Sequence, residues 1–175
     1  MTTWVALLRA VNVGGRTLKM DELRRIATEA GGTDVRTYIQ SGNLVLTHPA
    51  RSAAKVEALL SEAIEDHTGY AVPVMARTRR QLDAVIAGLP FGDVDVSKVH
   101  VAFLAGKPTK PELAKLDAAQ ASGEGWEVVV DALYLHLPHG VGSSKLAVAA
   151  GKLKVPATVR NWRTTCTLAE MAAAT

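Results

Sequence analysis

The residues best suited to chemistry in this chain surround a double glycine near its N-terminus. An apolar segment leads into Gly14 and Gly15, and a helical pattern begins a few residues later. Arg9, Arg16 and Lys19 surround the turn, and no acidic residue occurs in this segment. A glycine turn before a helix exposes backbone N–H groups, and nearby cations favour negative charge there. The spacing and residue types predict a place that can hold an anion.

The glycine spacing excludes the two common nucleotide-binding motifs. It matches neither the Rossmann pattern G-x-G-x-x-G nor the Walker pattern G-x-x-x-x-G-K-[ST]. Asn12 before the turn, with Ser41 and Asn43 further along the chain, would give an anion hydroxyl and amide partners. The alternative is that Gly14-Gly15 makes only a tight turn and that Ser41 and Asn43 only shape a hairpin.

A second polar cluster follows the same design in the C-terminal half. A strand pattern ends near His139, and Ser143, Ser144 and Lys145 open a helix. Arg160 and Asn161 stand where another strand gives way to the last helix, so two positive helix ends and two cations would suit a phosphate or carboxylate. The alternative is ordinary helix capping by Ser143, Ser144 and Asn161 beside surface cations.

Metal and nucleophile chemistry have little support. His136 and His139 have no third histidine or cysteine nearby, and a single cysteine, Cys166, excludes an internal disulfide and a cysteine-based zinc site. No G-x-S-x-G nucleophile elbow occurs. We therefore expect no metal and no cofactor, and we identify no catalytic residue.

The composition is that of a globular protein with a mild positive charge. The chain has 175 residues, of which 48% are hydrophobic and 21% charged, and its formal net charge is +3. Residues 132–169 contain no acid but carry five cations, Lys145, Lys152, Lys154, Arg160 and Arg163. This basicity favours anionic partners, with nucleic acid as an alternative to a small ligand. No apolar run reaches membrane-spanning length, so we expect a cytoplasmic protein with no membrane partner.

The elements that must position these residues repeat. Both halves have the pattern strand-helix-strand-strand-helix-strand with one extra helix, separated by a glycine- and proline-containing break at residues 88–92. This is the ferredoxin-like order, so we predict an α+β fold with one half over residues 1–90 and the other over residues 91–175. The order alone implies no function.

The predicted topology groups the polar residues at the ends of the two sheets. Strands 1 and 2 of such a motif run parallel with strand 3 between them. The loop at residues 12–16 and the turn at residues 41–43 should therefore meet. In the second half, residues 140–145 and 160–161 should meet at the opposite end of their sheet.

Four segments in order resemble the domain-of-unknown-function family 1697. They are Leu7 to Gly15 with Lys19-Met20, Thr37 to Asn43, Ser144-Lys145-Leu146 and Arg160-Asn161-Trp162. The resemblance covers nearly the whole chain and implies a bacterial protein built of two related ferredoxin-like halves, but it supplies no reaction. Ala10 stands where the family is expected to have glycine, and Arg163 where it is expected to have asparagine.

The preferred hypothesis is a protein that binds a small ligand bearing a phosphate or carboxylate. The alternatives are a nucleic-acid-binding protein, a hydrolase or transferase acting on a nucleotide-like substrate, and a homo-oligomeric interaction module. The candidate ligand-binding residues are Arg9, Asn12, Gly14, Gly15, Lys19, Ser41, Asn43, Ser143, Ser144, Lys145, Arg160 and Asn161.

Overall fold

The computed structural model describes residues 1–174, which form six α-helices and eight strands in the predicted order. The first repeat contains β1 (Thr2–Leu8), α1 (Met20–Glu29), β2 (Thr33–Tyr38), β3 (Asn43–His48), α2 (Ala53–Thr68), β4 (Val74–Thr78) and α3 (Arg79–Ala87). The second contains β5 (Val99–Leu104), α4 (Lys110–Ala119), β6 (Gly125–Val129), β7 (Ala132–His136), α5 (Lys145–Gly151), β8 (Ala157–Asn161) and α6 (Trp162–Ala173). Across the described range, none of the helices is both long and apolar enough to cross a bilayer.

Each repeat forms one four-stranded antiparallel sheet. The strand orders are β2-β3-β1-β4 and β6-β7-β5-β8. Every neighbouring pair is antiparallel, so β1 and β2 run parallel on either side of β3. The second sheet has the same pairing. This is the ferredoxin-like arrangement, and the prediction of two ferredoxin-like repeats is confirmed.

Two helices pack on one face of each sheet because their apolar residues recur at helical spacing. In the first repeat, Leu23 of α1 and Leu60 of α2 join a buried cluster with Leu46 of β3. In the second, Leu116 of α4 and Leu146 of α5 pack with the strands in the same way. The helix pairs α1/α2 and α4/α5 are therefore equivalent.

The chain divides into two compact units. Unit 1 contains Met1–Asp83 and the end of the chain from Thr167, and unit 2 contains Ala84–Cys166. Within unit 1, the Arg36 guanidinium of β2 donates a hydrogen bond to the Met171 carbonyl at 2.7 Å. The end of α6 is therefore part of the first unit. The predicted division of the repeats at residue 90 stays a prediction.

Just as the end of α6 belongs to unit 1, the end of α3 belongs to unit 2. The Tyr134 hydroxyl of β7 donates a hydrogen bond to the Val85 carbonyl at 2.7 Å. Burial raises the pKa of Tyr134 to about 12, with a smaller contribution from Asp131. This phenol therefore stays protonated and acts as a buried donor.

Candidate functional site

The loop after β1 and the turn between β2 and β3 lie together in unit 1. The Leu8 N–H donates to the Gly42 carbonyl at 2.8 Å, and the Asn12 side chain donates to the Gln40 carbonyl at 2.7 Å. Gly42 has a φ of +71°, and a Cβ there would stand 2.7 Å from the Leu8 Cβ. Close packing of the turn on the end of β1 therefore requires glycine at this position.

Asn12 holds the loop in shape. Besides Gln40, its Nδ2 donates to the Leu18 carbonyl at 3.1 Å, and its Oδ1 accepts the Leu18 N–H at 2.8 Å. Its φ of +56° is one that asparagine tolerates better than most residues. The amide that was predicted to bind a ligand is engaged within the protein.

Asn43 and Ser41 organise the neighbouring turn. Asn43 is fully buried, and its Nδ2 donates to the Tyr38 carbonyl at 3.0 Å and to the Ser41 Oγ at 2.9 Å. Buried amides bond in this way because leaving them unpaired is costly. These two side chains therefore shape the turn itself.

The exposed part of the first cluster consists of Arg9, Gly14, Gly15, Arg16 and Lys19. Both glycines have positive φ values, +60° and +83°, and a Cβ at either would meet nothing within 4 Å. The Arg16 guanidinium lies 5.2 Å from the centre of the Tyr70 ring, a cation–π contact that holds the end of the loop. The loop thus presents cations and open backbone to solvent.

Three residues of the second cluster act as helix caps or turn contacts. The Ser144 Oγ accepts the Ala147 N–H at 3.0 Å at the start of α5, and the Asn161 Oδ1 accepts the Thr164 N–H at 2.8 Å at the start of α6. The Ser143 Oγ donates to the His139 carbonyl at 3.1 Å. The capping alternative therefore describes the observed contacts of Ser144 and Asn161, whereas Ser143 makes a contact within the preceding turn.

Arg160 and Lys145 do not converge. Arg160 is paired in register with Val101, whereas the next residue of β5, Ala102, belongs to the core that includes α5. Since successive strand residues point to opposite faces, Arg160 lies on the face away from α5. Its guanidinium donates to the Thr158 Oγ1 at 2.8 Å, and burial lowers its pKa to about 10.

The first repeat has an equivalent buried arginine that sequence reasoning missed. Arg77 is 6% exposed and is paired with Val5, as Arg160 is paired with Val101. The sequence contains a signal for this equivalence, because Pro73 precedes Arg77 and Pro156 precedes Arg160 by the same number of residues. Alignment of the two repeats would have found this pair.

A cavity of about 290 Å³ lies between α4 and α5 in unit 2. Four of its lining residues are lysines, and three others form an apolar wall; we call it the lysine cavity. Lys145 is the predicted site residue found here. The lining residues are Glu112, Lys115, Lys145, Val148, Ala149, Lys152, Leu153 and Lys154.

The acid in this lining, Glu112, is committed to the backbone. One of its carboxylate oxygens accepts the Thr109 N–H at 2.8 Å and the Thr109 hydroxyl at 2.7 Å. The other accepts the Lys154 N–H at 2.6 Å. These bonds, led by those from Thr109, lower the pKa of Glu112 to about 2. The Glu112 carboxylate therefore stabilises the N-terminus of α4 and holds the chain that follows α5 against it.

The equivalent gap in unit 1 is lined by acidic side chains instead of lysines. A cavity of about 350 Å³ lies between α1 and α2, and Glu29, Asp66 and His67 are among its lining residues. A gap between the two helices is thus a feature of both repeats. The lysines are particular to the second.

The two histidines considered as metal ligands have other surroundings. The His136 ring lies against Phe91 with the ring centres 5.7 Å apart, and His139 is exposed. Over residues 1–174, no group of three or more His, Cys, Asp or Glu side chains is arranged to hold a metal ion.

Comparison with known proteins assigns the chain to a family. Residues 1–134 match the model of a family described as protein of unknown function (DUF1697). The chain belongs to the DUF1697 family. It is also similar in structure to a conserved bacterial protein, SP0830 from Streptococcus pneumoniae, with 25% sequence identity, 98% of each chain covered and a TM-score of 0.78. No curated protein matches it.

The DUF1697 match contains the connection between β1 and α1, residues 9–19, which we call the glycine loop, and it also contains the β2–β3 turn. The match ends before α5. Lys145, Lys152 and Lys154 therefore lie outside the matched range. The similarity to SP0830 extends over nearly the whole chain. Membership confirms the resemblance noted from the sequence, and the family's description states no activity.

Proposed function

We propose that this protein binds a small anionic ligand, carrying a phosphate or carboxylate and an apolar portion, in the lysine cavity. The observation that carries the proposal is the convergence of Lys115, Lys145, Lys152 and Lys154 on one concavity. A concave site with an apolar wall and a few charged groups is the usual form of a small-molecule site.

The charge of the cavity favours an anion over a neutral or cationic ligand. Glu112 already accepts three hydrogen bonds, so it has little capacity left to bind a cation or a ligand donor. The four ammonium groups can each donate to phosphate or carboxylate oxygens. Val148, Ala149 and Leu153 offer the remaining surface to apolar atoms of the ligand.

Binding is a better account of this cavity than catalysis. An enzyme would need a general base, and Glu112 is the carboxylate in the lining. A carboxylate with a pKa of about 2 is a weak base at neutral pH. A hydrolase or transferase function therefore gains no support from it.

The test measures thermal stability in the presence of hexyl phosphate, inorganic phosphate and hexylammonium. A ligand that binds the folded chain at a hundredfold excess over its Kd adds about 2.7 kcal/mol to the free energy of unfolding. For a chain of this size, that raises the Tm by roughly 5–10 °C. We expect hexyl phosphate to raise the Tm most, inorganic phosphate less and hexylammonium not at all.

A pair of double variants of equal charge change makes the test specific. Lys145→Glu with Lys152→Glu should abolish the effect of hexyl phosphate. Lys55→Glu with Lys110→Glu should preserve it, because both lysines are exposed and lie outside the lining. Lys110 is a close control, since it begins α4 as Lys145 begins α5. Equal loss in both double variants, or no stabilisation of the natural chain, would contradict the proposal.

A further inference from the structure

The connection from β1 to α1 contains more chain than its counterpart in unit 2. Both connections leave their strands through the same two backbone hydrogen bonds. The bonds join Leu8 to Gly42 and Arg9 to Pro73 in unit 1, and Leu104 to Asp131 and Ala105 to Pro156 in unit 2. The two strands therefore end at equivalent positions.

The two helices also begin in the same way. The N–H of Lys19 bonds to Glu22, and the N–H of Thr109 bonds to Glu112. Between the equivalent ends, unit 1 has residues 10–18 whereas unit 2 has only residues 106–108. The same junction is made with three residues in unit 2, so most of the glycine loop is not needed to connect strand to helix.

The additional chain is anchored to the rest of unit 1 by buried side chains and hydrogen bonds. Val11 and Leu18 are buried, at 5% and 1% exposure, and they anchor the loop on either side of its tip. Asn12 fastens the loop to Leu18 and to the β2–β3 turn through Gln40. Loops of this kind, surface segments held by a rigid scaffold, commonly carry binding residues.

Its outer surface combines exposed aliphatic side chains with cations. Val13 is 56% exposed and Ile39 of the adjoining turn is 52% exposed. Arg9, Arg16 and Lys19, which belong to the same connection as Val13, are also exposed. We call these five residues, with Gly14 and Gly15, the glycine-loop surface.

Two acids follow this surface at the start of α1. Asp21 forms an ion pair with Arg24, and Glu22 accepts the Lys19 N–H. Residues 9–19 themselves contain no acid, so the surface combines three cations with the aliphatic side chains of Val13 and Ile39.

We propose that the glycine-loop surface is a docking site for an acidic peptide segment, with aliphatic side chains, of a partner protein. The cations of this surface favour acidic residues in the partner peptide because opposite charges attract. Val13 and Ile39 favour aliphatic residues in the same peptide, since a peptide of acidic residues alone would make no apolar contact with them. Gly14 and Gly15 leave open space above the backbone for a partner chain to approach closely. This docking site is built only from unit 1 residues and is independent of the lysine cavity.

The same features argue against the other anionic macromolecules. Single-stranded nucleic acid binds through aromatic stacking as well as charge. At this surface the Arg16 guanidinium already lies over one face of the Tyr70 ring. A membrane surface needs more apolar insertion than two aliphatic side chains supply.

The test is selection of a random 16-residue peptide-display library on the whole protein, followed by affinity measurement for the enriched peptides. Enriched peptides should combine Asp or Glu with Leu, Ile or Val. Arg9→Glu with Arg16→Glu should weaken their binding by about tenfold or more, and Val13→Ser with Ile39→Ser by a similar factor.

Controls match each substitution in type. Arg51→Glu and Val96→Ser change an exposed cation and an exposed valine outside the surface, and they should leave affinity unchanged. A fluorescent single-stranded oligonucleotide and vesicles containing phosphatidylserine serve as alternative probes. The proposal is overturned if no peptides are enriched, if the loop variants bind them as well as the natural chain does, or if only the oligonucleotide or the vesicles bind.

Discussion

Glu112 illustrates at the residue scale how one carboxylate can serve two elements. It accepts the N–H and the hydroxyl of Thr109 before α4 and the Lys154 N–H after α5. Asn12 has the corresponding role in unit 1, since its amide joins its own loop to the neighbouring turn. Both residues use their polar groups to hold neighbouring elements together.

The pH dependence of stability should report the bonds to Glu112. Its pKa is about 2 in the folded chain against an ordinary 4.5, so folding favours the ionised form. The contribution of Glu112 to the free energy of unfolding is therefore fully present above pH 4.5 and is lost as the pH falls through 2. Glu112→Gln should therefore lower stability at pH 7 and flatten the loss of stability over that interval, as measured by urea unfolding from pH 2 to 7.

A matched variant separates this effect from general loss of charge. Glu62→Gln removes an exposed carboxylate on α2. The natural chain and this control should lose stability in parallel as the pH falls. A Glu112→Gln curve parallel to theirs would contradict the assignment.

At the scale of the elements, two glycines in the connections of unit 1 are required for different physical reasons. Gly42 combines a positive φ with a close approach to Leu8, whereas Gly14 has a positive φ and free space around it. One position is fixed by packing of the turn on β1, and the other only by backbone conformation. The β2–β3 turn and the tip of the glycine loop should therefore tolerate substitution unequally.

Alanine at the two positions should measure that difference. Gly14→Ala should cost about 1 kcal/mol, because an L-residue with positive φ is strained by about 1–2 kcal/mol. Gly42→Ala should cost at least about 1 kcal/mol more, since its Cβ must displace the Leu8 side chain or the turn. Urea unfolding of the two variants gives both values, and equal costs would be inconsistent with the close approach.

Unit 1 is not a continuous piece of chain at the scale of the whole molecule. It contains the first 83 residues and also the end of α6 from Thr167. Leu168, Ala169 and Ala172 in this segment are buried, and Arg36 bonds to the carbonyl of Met171. Residues 167–174 are therefore part of the same unit as the N-terminal strands.

Removal of residues 167–175 should consequently loosen unit 1 more than unit 2. Loss of the buried Leu168 side chain alone should cost about 1.5–3 kcal/mol. Amide hydrogen exchange should accelerate in β2, which contains Arg36, and change less in β6 of unit 2. For a milder perturbation, Arg36→Ala should accelerate exchange in the same strand. Equal acceleration in β2 and β6 would contradict this division.

The sequence by itself determined the order of the elements, the two antiparallel repeats and most helix starts. These features depend on local signals, such as apolar periodicity and the caps at Thr109, Ser144 and Asn161, which act within a few residues. The connectivity also predicted that the glycine loop and the β2–β3 turn would meet. That is a consequence of topology, and it holds whatever side chains occupy the loops.

Only the tertiary structure decided which polar groups are bonded within the protein and which cations line the same cavity. Asn12, Ser41 and Asn43 resembled ligand donors in the sequence, whereas in the structure each has a hydrogen-bond partner within the protein. The face on which Arg160 lies depends on its register with Val101, and a shift of one residue reverses it. Lys115 joins Lys145, Lys152 and Lys154 because α4 and α5 pack side by side on one sheet. Such convergence depends on helix packing between distant segments, which local residue patterns do not encode.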